Sequence, residues 1–348
     1  MSHSTAQRIR LVGIGLIAMI ALSACTSVSE LQATSSPSET PAPAPVFPVT
    51  LVHSQGETTI EALPERIASL GSQQTDALLA LGTVPVVTTY PLTRPIYKET
   101  LAKLGAAVPE VLTENEDVDG TLSALAEFAP DLILAPRELS GLNGNVVLSE
   151  GYLRLTEVAP TVYPTAAALD TEGYETATGW REALIQAGAV LGKSADAAAQ
   201  LESFDATLAA LAEEHPEFSG KTIAVTRPGP GGPVLVTATS PMALILEALG
   251  FTAFDPTTIE SDVRGGMVFF EPDQAALLDV DVLIVSDDEG GSTDTIRGYG
   301  DSPTYADGTV VHFGQVDQAT QSALAAPTAL TAPASIEAFV SQLAAALE

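Results

Sequence analysis

The sequence predicts an α/β protein of two lobes, each with a mostly parallel sheet, joined by one long α-helix. Three observations carry this. Short apolar runs alternate with helical periodicity from Val46 onward, the same alternation resumes at Thr222, and the stretch between them, Trp180 to His215, is helical throughout. Strands alternating with helices imply parallel pairing with both faces covered.

Taken in order, Val49 to His53 and Thr58 to Ile60 flank Gln55-Gly56 as a hairpin, and Ile67 to Leu70 is a short apolar run ending in Gly71-Ser72. Gln74 to Leu81 is a helix stopped by Gly82, Val84 to Thr88 a strand, and Ile96 to Leu104 a helix stopped by Gly105. Leu122 to Phe128 is a helix closed by Pro130, followed by strands at Asp131 to Ala135 and Thr161 to Tyr163. The second series is a strand at Thr222 to Arg227, a helix at Met242 to Leu249, strands at Val282 to Ser286 and Val310 to Phe313, and a closing helix at Ser335 to Leu347. In the middle, Trp180, Leu184, Ala187 and Leu191 share a helix face, and Ser194 is placed to cap a second helix carrying Leu201, Phe204, Leu208 and Leu211. That second helix of about 21 residues would span roughly 30 Å. Periodicity alone does not say whether it bridges two lobes or packs on one.

Composition narrows the function. With 14 Lys+Arg against 44 Asp+Glu in 348 residues the formal charge is −30, which disfavours nucleic acid as a partner. One Cys excludes an intrachain disulfide framework and a Cys-based zinc cluster, and four His leave little for a His-rich metal site. His53 and His312 fall on predicted strands and read as structural. No G-x-S-x-G, H-E-x-x-H, G-x-x-x-x-G-K-[ST] or strand-linked G-x-G-x-x-G occurs, so no enzyme class is indicated. Gly229-Pro230-Gly231-Gly232 reads as a surface turn, because Pro230 removes an amide donor that a phosphate cradle needs.

Residues 1–24 have the form of an export signal: Arg8 and Arg10 precede the apolar run Leu11 to Ala21, and Leu22-Ser23-Ala24 leads into Cys25. That run is too short for a comfortable membrane span. The segment resembles the lipobox of bacterial lipoproteins, which implies acylation of Cys25 and attachment to the bilayer. Residues 25–45, rich in Ser, Thr, Pro and Ala, read as a tether without a core. The rest divides into an N-terminal lobe at 46–175, a linking helical segment at 176–216 and a C-terminal lobe at 217–348.

The order VTLVHSQGETTIEALPERIASL, a helix ending ALG, SALAEFAPDLILA, YLRLTEVAPTVYP, GWREALIQAGAVLGKSADA, then SGKTIAVTR and ALLDVDVLIV, resembles the substrate-binding proteins of ABC importers for ferric siderophores, haem and cobalamin. The resemblance runs from about Val46 to the C-terminus. It implies a ligand cleft between the lobes, no catalysis, an extracytoplasmic monomer, and delivery of an iron complex to an importer permease. An anchored enzyme or an adhesive surface module is the alternative from another class.

A cleft at the carboxyl ends of the strands would be lined by the residues that follow them. These are Ser72 and Gln73 after Ile67 to Leu70, Tyr90 after Val84 to Thr88, Arg137 after Asp131 to Ala135, and Arg227 at the end of its own strand. Arg264 is expected on a loop before a helix starting near Pro272. Each guanidinium offers fixed donors to ligand oxygens, and siderophore-binding members commonly use Arg and aromatic side chains from these loops. Equally, each Arg could neutralise carboxylates on an acidic surface. A strongly negative protein with a few cleft arginines suits a neutral hydroxamate-type complex better than a trianionic catecholate. The resemblance also implies permease-docking carboxylates seven residues before the Pro-Asp of each lobe. The C-lobe counterpart is Asp273, beside Glu271; the N-lobe position is Ser123, with Glu127 one turn later as a substitute.

Overall fold

In a computed structural model of the chain the described residues are 47–112, 118–136, 153–165, 179–228, 233–236, 240–254, 262–264, 267–269, 272–285, 302–304, 308–312, 320 and 326–347. All belong to the compact unit Ala44–Glu348. The export signal, Cys25, the tether and the turn at 229–232 therefore lie outside the described residues.

Strands β1 (Val49–His53) and β2 (Gly56–Ile60) form the expected antiparallel hairpin, registered Val49 to Ile60 through His53 to Gly56. Then follow β3 (Ile67–Ser69), α1 (Ser72–Ala80), β4 (Val87–Thr88), α2 (Pro95–Lys103), β5 (Glu110–Val111), α3 (Val118–Glu127), β6 (Leu132–Leu134) and β7 (Thr161–Val162). The first sheet has the order β5-β4-β3-β6-β7 and is parallel throughout. Its strands are shorter than the apolar runs suggest. Pro85, which has no amide to donate, keeps Val84 out of β4.

Two helices lead out of this sheet, α4 (Gly179–Val190) and α5 (Ser194–Glu214), the latter with the expected 21 residues. They cross where Gly188 faces Ala197; a Cβ on Gly188 would stand 2.7 Å from that of Ala197, so only glycine allows the approach. Ser194 does not cap α5, contrary to expectation. Lys193 is the N-cap residue, its carbonyl accepts from the Ala197 N–H at 3.0 Å, and Ser194 is the first helical residue. The Lys193 ammonium instead donates to the Leu81 carbonyl at the end of α1.

The second half holds β8 (Thr222–Pro228), β9 (Pro233–Val236), α6 (Pro241–Ala248), β10 (Thr252–Ala253), β11 (Asp262–Arg264), β12 (Met267–Phe269), a 3-10 turn at Pro272–Leu277, β13 (Val282–Val285), β14 (Thr309–His312) and α7 (Thr331–Leu347). Its sheet runs β11-β12-β9-β8-β13-β14, with β10 beside the start of β8. Strands β10, β8, β13 and β14 are parallel, as the sequence predicts, but β9, β12 and β11 extend the sheet by antiparallel pairing. Helix α7 starts four residues before the expected Ser335; Pro333 is tolerated in its first turn, where amides lack helical partners anyway.

One apolar cluster runs through the whole body. It takes Ile67, Leu78 and Leu132 from the first half, Trp180, Leu184, Phe204 and Leu208 from α4 and α5, and Ile223, Val282, Ile336 and Phe339 from the second. Gln200 on α5 donates to the Ala80 carbonyl at 3.0 Å, while farther along α5 packs on α6 and α7. The long helix therefore engages both halves. Trp180 meets Phe204 edge-on at 5.4 Å, with the Arg181 guanidinium 5.0 Å from the indole centre.

Candidate functional site

In the first sheet the chain leaves β3 toward β4 on one side and returns through β6 on the other. The crevice at the carboxyl ends of β3 and β6 is thus the topological switch point, the usual ligand position in open α/β sheets. Gly71 sits there at φ 104°, and a Cβ on it would come within 3.2 Å of the Pro136 ring. A larger residue would be strained in backbone and would push the β6 loop away.

Helix α1 begins immediately afterward with no side-chain cap, so the leading amides at Ser72 and Gln73 lack an internal acceptor. Both residues are half-buried, and Gln73 Nε2 and Gln74 Oε1 are buried without partners. Beneath them a hydroxyl knot ties the two loops. Thr75 Oγ1 donates to the Gly71 carbonyl at 2.7 Å and lies 2.8 Å from both Ser69 Oγ and Thr88 Oγ1. Its one proton is spent on Gly71, so Ser69 and Thr88 must donate to it. Thr88 Oγ1 in turn accepts from the Tyr90 N–H at 3.0 Å, and Thr89 Oγ1 from the Gly71 N–H at 2.9 Å.

Tyr90 is half-buried beside this edge, and its hydroxyl accepts from Arg94 Nη2 at 2.8 Å. Arg94 escapes sequence reasoning because it follows a loop rather than a strand; its place before Pro95, four residues after Tyr90, is the one local signal. Tyr90 also meets Tyr97 edge-on at 5.9 Å. The structure thus brings Ser72, Gln73 and Tyr90 to one sheet edge and adds Arg94. Arg137, next after Pro136, lies outside the described residues.

In the second sheet β8 and β13 are the corresponding central pair, and Thr226 Oγ1 donates to the Ile284 carbonyl at 3.1 Å. Arg227 follows on β8, paired with Val234. Arg264 is not on a loop: it ends β11, opposite Met267, because the segment pairs as an edge hairpin. Register places Arg264 in the row of Met267 and Val236, whereas Arg227 shares the row of Val234 and Phe269. Arg264 is therefore three strands outward, roughly 14 Å, and two residues farther from the carboxyl edge of β8 than Arg227.

Among the docking candidates, Glu127 ends α3 and is exposed, as is Ser123 one turn earlier. Asp273 lies in the 3-10 turn and Glu271 outside the described residues. His53 is buried: Nδ1 accepts from the Gln55 N–H at 3.2 Å, which leaves Nε2 to donate to Thr58 Oγ1 at 3.0 Å. Thr58 passes its own proton to the Thr161 carbonyl, stitching the hairpin to β7, and burial holds the His53 pKa below its ordinary value. Among the described residues no group of three or more His, Cys, Asp or Glu is placed to hold a metal ion. No helix among them is long and apolar enough to cross a membrane.

The first sheet's switch-point edge, furnished with amide, hydroxyl, phenol and guanidinium groups, is the candidate ligand site of a protein whose two α/β halves are both engaged by one long helix. The chain belongs to the periplasmic binding protein family, whose model matches residues 67–309. That is a family of transport-associated binding proteins, not of enzymes. A Bacillus subtilis (strain 168) protein described as the probable siderophore-binding lipoprotein YfiY is 28% identical over 247 residues, covering 70% of this chain and 67% of its own. The fold is that of a periplasmic solute binding protein from Mycobacterium smegmatis (TM-score 0.65, 24% identity, 86% of this chain and 99% of that one). It is also that of Streptococcus pneumoniae PiaA in complex with ferrichrome (TM-score 0.64, 21% identity, 85% and 98%).

Proposed function

We propose that this protein is an extracytoplasmic lipoprotein, anchored through Cys25, that captures a ferric siderophore of the hydroxamate type and passes it to an ABC importer permease. The observation that carries this reading is the donor-rich edge at the β3/β6 switch point, where Ser72, Gln73, Tyr90 and Arg94 offer N–H and O–H groups. Such an edge suits a ligand whose surface is made of oxygen acceptors, as an iron chelate's is. The siderophore-binding description of the Bacillus relative and the ferrichrome held by the pneumococcal neighbour support the same class.

The chain's charge of −30 argues for the hydroxamate type, since approach of a highly anionic complex is opposed by the overall field. Arg227, near the end of β8, is in this reading a local donor, Arg264 a more distant one, and Arg137, which follows Pro136 in sequence, a third. In this reading 46–175 and 217–348 are the lobes, 176–216 joins them, and the protein acts as a monomer. Glu127, Glu271 and Asp273 meet the permease.

Titration calorimetry with a neutral ferric hydroxamate and a trianionic ferric catecholate tests it. The hydroxamate complex should bind more tightly. Catecholate preference overturns the charge argument, and binding of haem but neither chelate overturns the siderophore reading.

A further inference from the structure

Asp76 lies in the middle of α1 with no exposed surface. Its Oδ2 accepts from the Tyr97 hydroxyl at 3.2 Å and from the Thr328 hydroxyl, while the buried Oδ1 has no partner. Thr328 is 252 residues away, in the short stretch before α7. It is itself held by Thr331: the two hydroxyls are 2.9 Å apart, and each accepts the other's backbone N–H, at 3.2 and 3.1 Å. Next to it Leu330 packs on Leu79, Tyr97 and Leu101, and Ala329 joins the cluster that includes Trp180 and Phe339.

This contact is an expensive way to close a core. Burial raises the Asp76 carboxyl to about 6, against the opposing pull of the Thr328 and Tyr97 hydrogen bonds and the Arg94 charge. An apolar pair of similar volume would avoid that desolvation. What the carboxylate adds is geometry, since a hydrogen bond fixes direction where apolar contact does not. Ser72 precedes Asp76 by four residues on the same helix, about 6 Å along its axis, so α1 carries any displacement at Asp76 to the ligand edge.

We propose that Thr328 and Asp76 form a positioning pin that ties the C-terminal segment to the site helix α1, giving the two halves a second fixed attachment besides α5. Movement of α7 against the first half is then coupled to Ser72 and Gln73. The relevance to ligand rests on the binding reading above, but the pin itself is measurable without ligand.

Amide hydrogen exchange on the full chain, followed by mass spectrometry for the wild type, Thr328→Val and Thr328→Ser, is the test. Thr328→Val should speed exchange about tenfold or more in both α1 and residues 326–331, with β6 and β13 unchanged as a control for folding. Thr328→Ser, which returns the hydroxyl, should restore both. Loss confined to 326–331, loss spread evenly over the chain, or no rescue by serine would each overturn the pin. Because no siderophore enters the measurement, failure of the siderophore reading leaves this result intact.

Discussion

Asp281 does for the second sheet what Asp131 does for the first. Each immediately precedes a central strand, β13 or β6, and turns its carboxylate onto the backbone entering the neighbouring first strand. Asp131 accepts from the N–H groups of Glu65 and Arg66 at 2.7 and 3.0 Å, and Asp281 from the Thr222 N–H and hydroxyl at 2.7 and 2.9 Å. The two halves thus repeat one clasp, and the hydrogen bond from the Thr222 backbone holds the Asp281 carboxyl below its ordinary range. Asp131→Asn and Asp281→Asn should each lower stability by about 1 kcal/mol near neutral pH. For Asp281 the folded pKa is depressed, so its contribution is present above about pH 4 and is lost as pH falls through the folded value. Thermal melts of Asp281→Asn and wild type should therefore converge in acid; a constant gap would count against the clasp.

Two buried groups set opposing pH slopes nearer neutrality. Asp76, raised to about 6, contributes stability that is full below its unfolded value of 3.8 and disappears as pH rises through 6. His53, lowered from 6.5, does the reverse: its contribution is present above 6.5 and is lost as pH falls through its folded value. The difference between Asp76→Asn and wild type should grow more negative from pH 8 to pH 4, by up to roughly 3 kcal/mol. The variant alone should lose stability below pH 6.5 through His53. Parallel melting curves across that range would refute the assignment to Asp76.

Thr75 has no exposed surface and its hydroxyl holds three partners, so Thr75→Val keeps the shape, leaves the Gly71 carbonyl only the Thr75 N–H at 3.2 Å, and removes the acceptor of the Ser69 and Thr88 hydroxyls. A stability loss of about 1–3 kcal/mol is expected. Because the same knot holds the Tyr90 loop against Gly71, affinity for an iron chelate should fall as well. Unchanged affinity in a folded variant would detach the knot from the site.

Register separates two arginines that look equivalent in sequence. Arg227, next to Thr226 at the carboxyl edge of β8, should cost about tenfold or more in affinity when changed to Ala, as expected for a charge-assisted contact. Arg264, three strands out and two residues down, should cost less than Arg227. A larger loss for Arg264→Ala than for Arg227→Ala would contradict the placement.

Cys25→Ala should move the protein from the membrane fraction to the soluble one without altering its melting temperature, since the Ser, Thr, Pro and Ala composition of 25–45 predicts a tether without a core. Retention of the variant on membranes would reject the lipid anchor.

By itself the sequence determined the order and type of the main elements, because alternation of apolar residues reports which face of each segment is buried, and that is a local property. It also determined that Ser72, Gln73 and Tyr90 follow strand ends, since a parallel strand's exit loop is fixed by where its apolar run stops. Only the tertiary structure decided the rest. Strands β9, β11 and β12 are short and carry Pro, Asp and Arg, so they form because β8 offers an open edge, and their pairing moved Arg264 off its expected loop. Lys193 reaches Leu81 and Thr328 reaches Asp76 by chain closure across 112 and 252 residues. Such contacts leave no periodic trace: hydrogen-bond partners are chosen by position in space, and that is set only once the apolar cluster through α4 and α5 has brought the two halves together.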